Sequence, residues 1–379
     1  MRILIAIGVP RQREAGAAGV VLNHALELEK RGHHVECWFL DDVLERPSKP
    51  KRFEAFFFAV SVAKRIMKDP KRFDVVNIHA PWGCAYGVWR KYFRASGAPP
   101  CMLTMQGSEE RYVYAMKLEA RKDRAWNFNL KNRLWHRLYH QTMYDFSIRT
   151  ADYGAVANRE AWICAELKYK RDPGRIWYVP NATEKRFFTS REYTDKSPMK
   201  LLYVGTWLDR KGVYYLADAF SLVAKKMPGI QLTIAGCSAA ADYVKTFFAP
   251  ELRGQICVLP FVTREDMPAV YAAHDIFVFP SLVEGMPLTL LEAMAAGMPV
   301  VTTNTCGMSD VVEDEFNGLL VPTANAGSLA EAIERLCRSA ELRKQLGQEG
   351  QRTARRYTWE QITKRLEKVL ILAARNGRN

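Results

Sequence analysis

Apolar positions along the chain fall into short uninterrupted runs separated by stretches of helical period. The first run, Met1–Val9 (MRILIAIGV), reads as a buried strand. A loop, PRQREAGAAG, leads into a helix over Val20–Arg31 that Gly32 closes, and a second strand follows at His34–Leu40. Phe73–Ala80, Pro100–Gly107, Tyr153–Ala157 and Arg175–Pro180 read as further strands, with a long helical region over 109–150 between them. A polar stretch at Thr189–Pro198 interrupts the pattern, which then restarts. Strand runs at Lys200–Gly205, Gln231–Gly236, Ile256–Val262, Ile276–Phe279, Val300–Thr303 and Gly318–Pro322 alternate with helices from Val213, at Leu288–Ala296 and at Ser328–Ser339. A terminal helix spans Trp359–Asn376. Two successive strand–helix series predict two α/β domains with parallel sheets, 1–190 and 199–357, followed by a helical tail over 358–379.

The most informative unit is 274–303, HDIFVFPSLVEGMPLTLLEAMAAGMPVVTT. Pro280 stops the strand, Pro287 suits the first turn of the following helix, and Gly297 with Pro299 ends it. In a strand–loop–helix–strand unit a ligand lies beyond the strand's C-terminal end, where free N–H groups and the helix dipole favour an anion, usually phosphate. Glu284 and Glu292 frame that place. Taken singly they read as a solvated loop carboxylate and a surface helix carboxylate. Beside a phosphate they make sense as acceptors for hydroxyl groups, which a nucleotide sugar carries on both its sugar and its ribose.

Charge changes the picture of the first half. The net charge is +14, all of it within residues 1–200, while the remainder is neutral; an anionic partner is therefore expected for the first domain alone. In 46–72, Phe53, Phe56, Phe57, Val60 and Ala63 follow helical spacing between basic clusters, which suits an anionic bilayer surface or a helix packed on its own domain. In 109–150 basic residues alternate with Tyr112, Tyr114, Trp126 and Trp135, a pattern that fits an interfacial acceptor site and also nucleic acid. His136 and His140, four apart, lack an accompanying carboxylate or cysteine pattern and read as ordinary helix residues. The eight cysteines show no paired or metal-ligand spacing and read as reduced thiols of a cytoplasmic protein. No stretch is long and apolar enough for a membrane span.

The run E-G-M-P-L-T-L-L-E-A-M-A-A-G-M-P-V-V, with P-S-L-x-E-G before it, resembles the E-x7-E signature of retaining glycosyltransferases with the GT-B fold, glycosyltransferase family 4 (glycosyl transferases group 1). The resemblance implies two Rossmann-like domains facing each other across a cleft, the first binding an acceptor and the second a nucleotide sugar, with the C-terminal helix crossing back to the first. It assigns the donor to Gly16 and Gly19 in the first loop, where Ala15 stands for a family glycine. In the second domain it assigns Gly205, Thr206, Arg210 and Lys211, then Phe261 and Val262 beside the base, and Glu284, Gly285, Met286, Pro287, Leu288 and Glu292. Thr206 stands where the family has arginine, and Gln106 where it has a histidine near the transferred sugar. Glutamine donates a hydrogen bond but moves no proton near neutral pH.

The catalytic set implied is Lys211, Glu284 and Gln106. With no D-x-D in the sequence, no metal is expected; fixed cations and the helix 288–296 N-terminus would stabilise the leaving diphosphate. The expected partners are a UDP- or GDP-sugar, a glycan or lipid-linked acceptor and an anionic membrane surface, with no cofactor and no nucleic acid. A catalytically inactive nucleotide-sugar-binding scaffold, favoured by Ala15, Gln106 and Thr206, and a sugar-nucleotide epimerase of the same fold are the alternatives.

Overall fold

A computed structural model describes every residue except 12–15, 45–52, 94–96, 123–128, 195–198 and 377–379. Ala15, the basic cluster in 46–52, Trp126 and the end of the 189–198 linker lie outside the described residues. Twelve strands among the described residues form two parallel six-stranded sheets. The first holds β1 (Arg2–Ala6), β2 (His34–Trp38), β3 (Val75–His79), β4 (Cys101–Met105), β5 (Tyr153–Val156) and β6 (Ile176–Tyr178), in the order β2-β1-β3-β4-β5-β6. The second holds β7 (Lys200–Val204), β8 (Gln231–Ala235), β9 (Ile256–Leu259), β10 (Ile276–Phe279), β11 (Val300–Thr303) and β12 (Leu319–Val321), in the order β12-β11-β10-β7-β8-β9. The central strands β3 and β10 are buried at every residue, as expected of parallel strands covered on both faces. Strand order reverses between β1 and β3 in one sheet and between β7 and β10 in the other, the positions where such sheets open a ligand crevice.

The expected elements are present with shifted ends. The first helix is Gly16–Lys30, four residues longer at its start than expected, because Gly16-Ala17-Ala18-Gly19 continues the helix. Gly16 is therefore its first residue and Gly19 is buried within it, not in a loop. β9 stops at Leu259 because Pro260 cannot extend the ladder, so Phe261 and Val262 lie beyond the strand. In the helix Glu54–Lys68 the buried face is Phe58, Ala59, Val62, Ala63 and Ile66, whereas Phe56 and Phe57 face solvent.

Contacts divide the chain into two units: 1–109, 129–181 and 359–379, and 110–128 with 182–358. The helix Trp359–Asn376 packs in the first unit, where His24 Nδ1 meets Thr363 Oγ1 at 2.8 Å and His33 Nε2 meets Glu367 Oε1 at 2.8 Å. Residues 182–194 group with the second unit, held by Arg191, which donates to the carbonyls of Tyr271, His274 and Ala296. The helix Glu109–Ala120, expected within the first domain, also packs with the second unit. Its Ala115 and Met116 lie against Tyr215, Leu282, Val283 and Cys306. Tyr215 Oη donates to the buried Glu119 Oε1 at 2.6 Å, and Arg111 Nη2 donates to Thr305 Oγ1 at 2.9 Å.

Two glycines let the second unit's loops close on one another. Gly212 ends the turn Asp209–Lys211 at φ +71°, and a Cβ there would lie 2.0 Å from the Pro280 carbonyl oxygen. At Gly307 a Cβ would lie 1.9 Å from the Gly285 carbonyl oxygen, so the helix Cys306–Val311 is seated on the loop that carries Glu284. Gly307→Ala is expected to lower unfolding free energy by about 1–3 kcal/mol, the usual effect of overpacking. Gly16→Ala, with nothing within 4 Å of the added carbon, is expected to stay within about 0.5 kcal/mol. Urea midpoints check both; equal midpoints would show that the 285 loop is not packed against Gly307.

Candidate functional site

The second sheet's switch point lies between β7 and β10, and the loops that follow these strands hold Arg210, Lys211 and Glu284. β7 leads to Gly205, at φ +152°, and Thr206, whose carbonyl accepts from Tyr203 Oη at 3.1 Å. The turn Asp209–Lys211 follows, and its Arg210 carbonyl accepts from Leu282 N at 2.8 Å, tying it to the loop after β10. Gly212 in its left-handed conformation points the chain into the helix Val213–Lys226. Lys211 is thereby turned under the loop, with its Nζ 5.1 Å from the centroid of the Phe279 ring.

Glu284 is the hub. Its Oε1 lies 2.7 Å from Lys211 Nζ and 3.2 Å from Arg210 Nη1, and Ser281 Oγ donates to it at 3.0 Å. Burial opposes ionisation of this carboxyl, but the Lys211 and Arg210 charges and the hydrogen bonds from Lys211 and Ser281 outweigh it. The net direction is below the ordinary value. Lys211 is also lowered, first by burial and then by Arg210, with Glu284 acting against both. A buried carboxylate held by two cations has low tolerance for losing one partner.

Gly285, Met286 and Pro287 lead from Glu284 to the helix Leu288–Ala295, with Pro287 at its N-cap. That helix is buried on nearly all faces, so its position follows from packing. Glu292 is buried, not a surface carboxylate: it accepts from Tyr271 Oη at 2.9 Å and lies 3.9 Å from Arg264 Nη2. Burial raises its pKa, and Arg264 and Tyr271 only partly counter this. Arg264 is held in turn by Glu184, whose Oε1 accepts from Nε at 2.6 Å. Arg264, Glu184 and Tyr271 were missed in the sequence reading, since nothing in their spacing ties three separate segments to Glu292. Phe261 is 70% exposed, so it is not a core residue.

Gly16, Gly19 and Gln106 belong to the first unit. Gln106 follows β4 and lines a small cavity whose polar groups include His24, Asn77, His79 and Thr104, among the apolar Ile5, Val21, Val179 and Leu366. Burial lowers the His79 pKa to about 4. Burial, with His79 close by, takes His24 to about 3. Both histidines are therefore neutral at pH 7. His79 Nδ1 has no hydrogen-bond partner among the described residues. The sequence resemblance points to Gln106 and not to these neighbours. His136 of the long helical region is engaged by Glu109, and no group of three or more His, Cys, Asp or Glu side chains among the described residues is placed to hold a metal ion.

Known proteins are similar to this chain in sequence over its second half and in architecture over nearly its whole length. Residues 185–353 match the family model described as glycosyl transferases group 1. The UDP-Gal:alpha-D-GlcNAc-diphosphoundecaprenol alpha-1,3-galactosyltransferase of Escherichia coli is 28% identical over 191 residues, which cover 47% of this chain and 49% of that protein. The chain spans about half the length, or less, of the curated relatives it matches. Among solved structures, sucrose-phosphate synthase from Thermosynechococcus elongatus superimposes with a TM-score of 0.77 at 19% identity, covering 98% of each chain. The Anabaena protein HepE in complex with UDP and glucose gives a TM-score of 0.69 at 16% identity, covering 98% of this chain and 99% of that one. Two doubly wound parallel sheets and the likeness to these solved structures give the chain the GT-B fold, and its residues 185–353, which hold the signature over Glu284–Glu292, are similar to the glycosyl transferases group 1 family.

Proposed function

We propose that the protein transfers a hexosyl group, with retention of configuration, from a UDP- or GDP-sugar to a hydroxyl of a glycan or lipid-linked acceptor. The observation that carries this reading is the buried cluster of Glu284, Lys211 and Arg210 at the second sheet's switch point. A donor diphosphate binding there takes Lys211 and Arg210 as its cations and the N–H groups of Gly285–Leu288 as hydrogen-bond donors. Glu284, released from Lys211, then accepts from hydroxyls of the sugar. Glu292 accepts from the ribose hydroxyls, Gly205 and Thr206 leave room for the phosphates, and Phe261 and Val262 border the base. Gly16, Gly19 and Gln106, which belong to the first unit, are assigned to the donor by the resemblance alone.

The acceptor oxygen bonds the anomeric carbon as the bond to the β-phosphate oxygen breaks on the same face. The acceptor proton passes to that phosphate oxygen, and the nucleoside diphosphate leaves. Lys211 opposes the charge that grows on the leaving group, and one such preorganised donor contributes about 3 kcal/mol. Without D-x-D in the sequence, charge neutralisation is assigned to protein cations and no metal.

The HepE complex contains UDP, which favours a uridine donor. The named substrate of the Escherichia coli relative is diphosphoundecaprenol-linked, which favours a lipid-linked acceptor at the cytoplasmic face of a membrane, as in assembly of polysaccharide or lipopolysaccharide. No helix among the described residues is long and apolar enough to cross a membrane, so contact is assigned to the surface. Leu130, Leu134 and Leu138 are exposed at helical spacing over Leu130–Gln141, beside the exposed Lys131, Arg133 and Arg137. An apolar stripe flanked by cations suits an anionic bilayer interface.

A panel of UDP- and GDP-sugars with product mass measurement tests the reaction: the account expects one donor to be consumed, and a protein that binds nucleotide without slow donor hydrolysis or transfer is a scaffold. Lys211→Ala is expected to lower kcat by about 10²–10³-fold, and Glu292→Ala to weaken nucleotide binding in equilibrium titration; wild-type values in both would remove the site. The folded Glu284 pKa is depressed, so its contribution to stability is complete above the ordinary value of 4.5 and is lost as pH falls through the folded value. Wild type is accordingly expected to lose stability relative to Glu284→Gln only below about pH 4.5, read from denaturant midpoints across pH. In flotation assays, Leu134→Ser with Leu138→Ser is expected to reduce recovery with anionic vesicles; unchanged recovery would remove the membrane contact.

A further inference from the structure

A second cationic place lies in the first unit, at the opposite end of its strands from Gln106. A cavity of about 450 Å³ opens there, within the range of about 300–1,000 Å³ common for small-ligand sites. Its lining comes from segments that run into the N-terminal ends of β4, β5 and β6. These are the end of the helix Cys84–Tyr92, the end of the helix Thr142–Thr150, and residues 169–175. Among the described lining residues are five cations, Lys91, Arg149, Lys170, Arg171 and Arg175, and one carboxylate, Asp172. Asp172 is already engaged, 3.6 Å from Arg175 Nε and accepting from Gly174 N at 2.9 Å.

Three of the cations rest on neutral groups. Arg149 lies over the Tyr169 ring at 5.5 Å, and Lys91 Nζ donates to the Arg149 carbonyl at 2.9 Å. Arg171 donates to the Asp152 carbonyl at 3.1 Å. Burial is the main reason its pKa is lowered, and Arg175 adds to that while Asp152 acts against it. Lys170 sits at φ +53°, a backbone conformation unfavourable for a residue with a side chain. Five like charges around one concavity repel one another, and an anion inside relieves that repulsion. Several guanidinium forks around a wide space match a tetrahedral oxyanion better than a planar carboxylate.

We propose that this cavity is a second anion site that binds phosphate groups, carried by a phospholipid head group or by a free polyphosphate. It has no part in the transfer chemistry assigned to Lys211 and Glu284, and it stands or falls independently of that assignment.

The test titrates tripolyphosphate calorimetrically into the Lys211→Ala protein, in which one of the two proposed donor cations is absent, and floats the protein with phosphatidylglycerol or phosphatidylcholine vesicles. Lys170→Glu and Arg149→Gln are each expected to weaken binding by about tenfold, the effect of losing one charge-assisted contact. Lys364→Glu, an exposed reversal outside the cavity, is expected to leave binding unchanged, and circular dichroism checks that each variant is folded. Weakened tripolyphosphate binding with unchanged flotation identifies a free polyphosphate ligand. Reduced flotation with phosphatidylglycerol alone identifies a lipid head group. The proposal is overturned if neither readout responds to Lys170→Glu and Arg149→Gln, or if Lys364→Glu weakens binding equally.

Discussion

The second unit's site depends on one buried electrostatic arrangement, a carboxylate shared by two cations. Glu284 is taken out of water, which alone would favour its neutral form. Lys211 at 2.7 Å and Arg210 at 3.2 Å reverse that preference. The arrangement needs the loops after β7 and β10 to be held together, and the protein achieves this with backbone. Leu282 N bonds the Arg210 carbonyl, and Gly212 lets the turn approach Pro280. A side chain at position 212 would separate the two loops. In the proposed reaction the same cations meet a diphosphate, so Glu284 acts as an internal anion that the donor displaces.

Support for the loop comes from both sides. Gly307 seats a short helix directly on the Gly285 carbonyl. The helix Glu109–Ala120 presses Ala115 and Met116 on Leu282 and Val283 and ties Glu119 to Tyr215, four residues after Lys211. Part of the chain between β4 and β5 of the first sheet thus buttresses the Glu284 loop of the second. The second glutamate is supported differently. Glu292 rests on Tyr271 and near Arg264, and Arg264 is fixed by Glu184 from the segment that joins the two sheets.

Much of the fold was legible because parallel strands buried on both faces leave short apolar runs, and each run from Ile3 to Val321 corresponds to a strand. Ends were less legible, since Pro260 or a run of small residues such as Gly16–Gly19 decides them locally. The placement of Glu109–Ala120 was not legible at all. Its apolar face, Tyr112, Ala115, Met116 and the buried Glu119, is masked by interleaved Arg and Lys, and a buried glutamate reads as polar until its tyrosine partner is known. At the site, the family resemblance pointed to Glu284, Lys211 and Glu292. Side-chain partners from distant segments, such as Arg264 and Glu184 for Glu292 or His79 beside Gln106, carry no periodic signal and emerge only from the fold.

The central claim is that the cations now engaged by Glu284 receive the donor diphosphate. A crystal structure with bound UDP or GDP tests it most directly. The account predicts phosphate oxygens within hydrogen-bond distance of Lys211 Nζ and the Gly285–Leu288 amides, with Glu284 turned away from Lys211. A nucleotide bound elsewhere, with the Glu284–Lys211 pair intact, would contradict it.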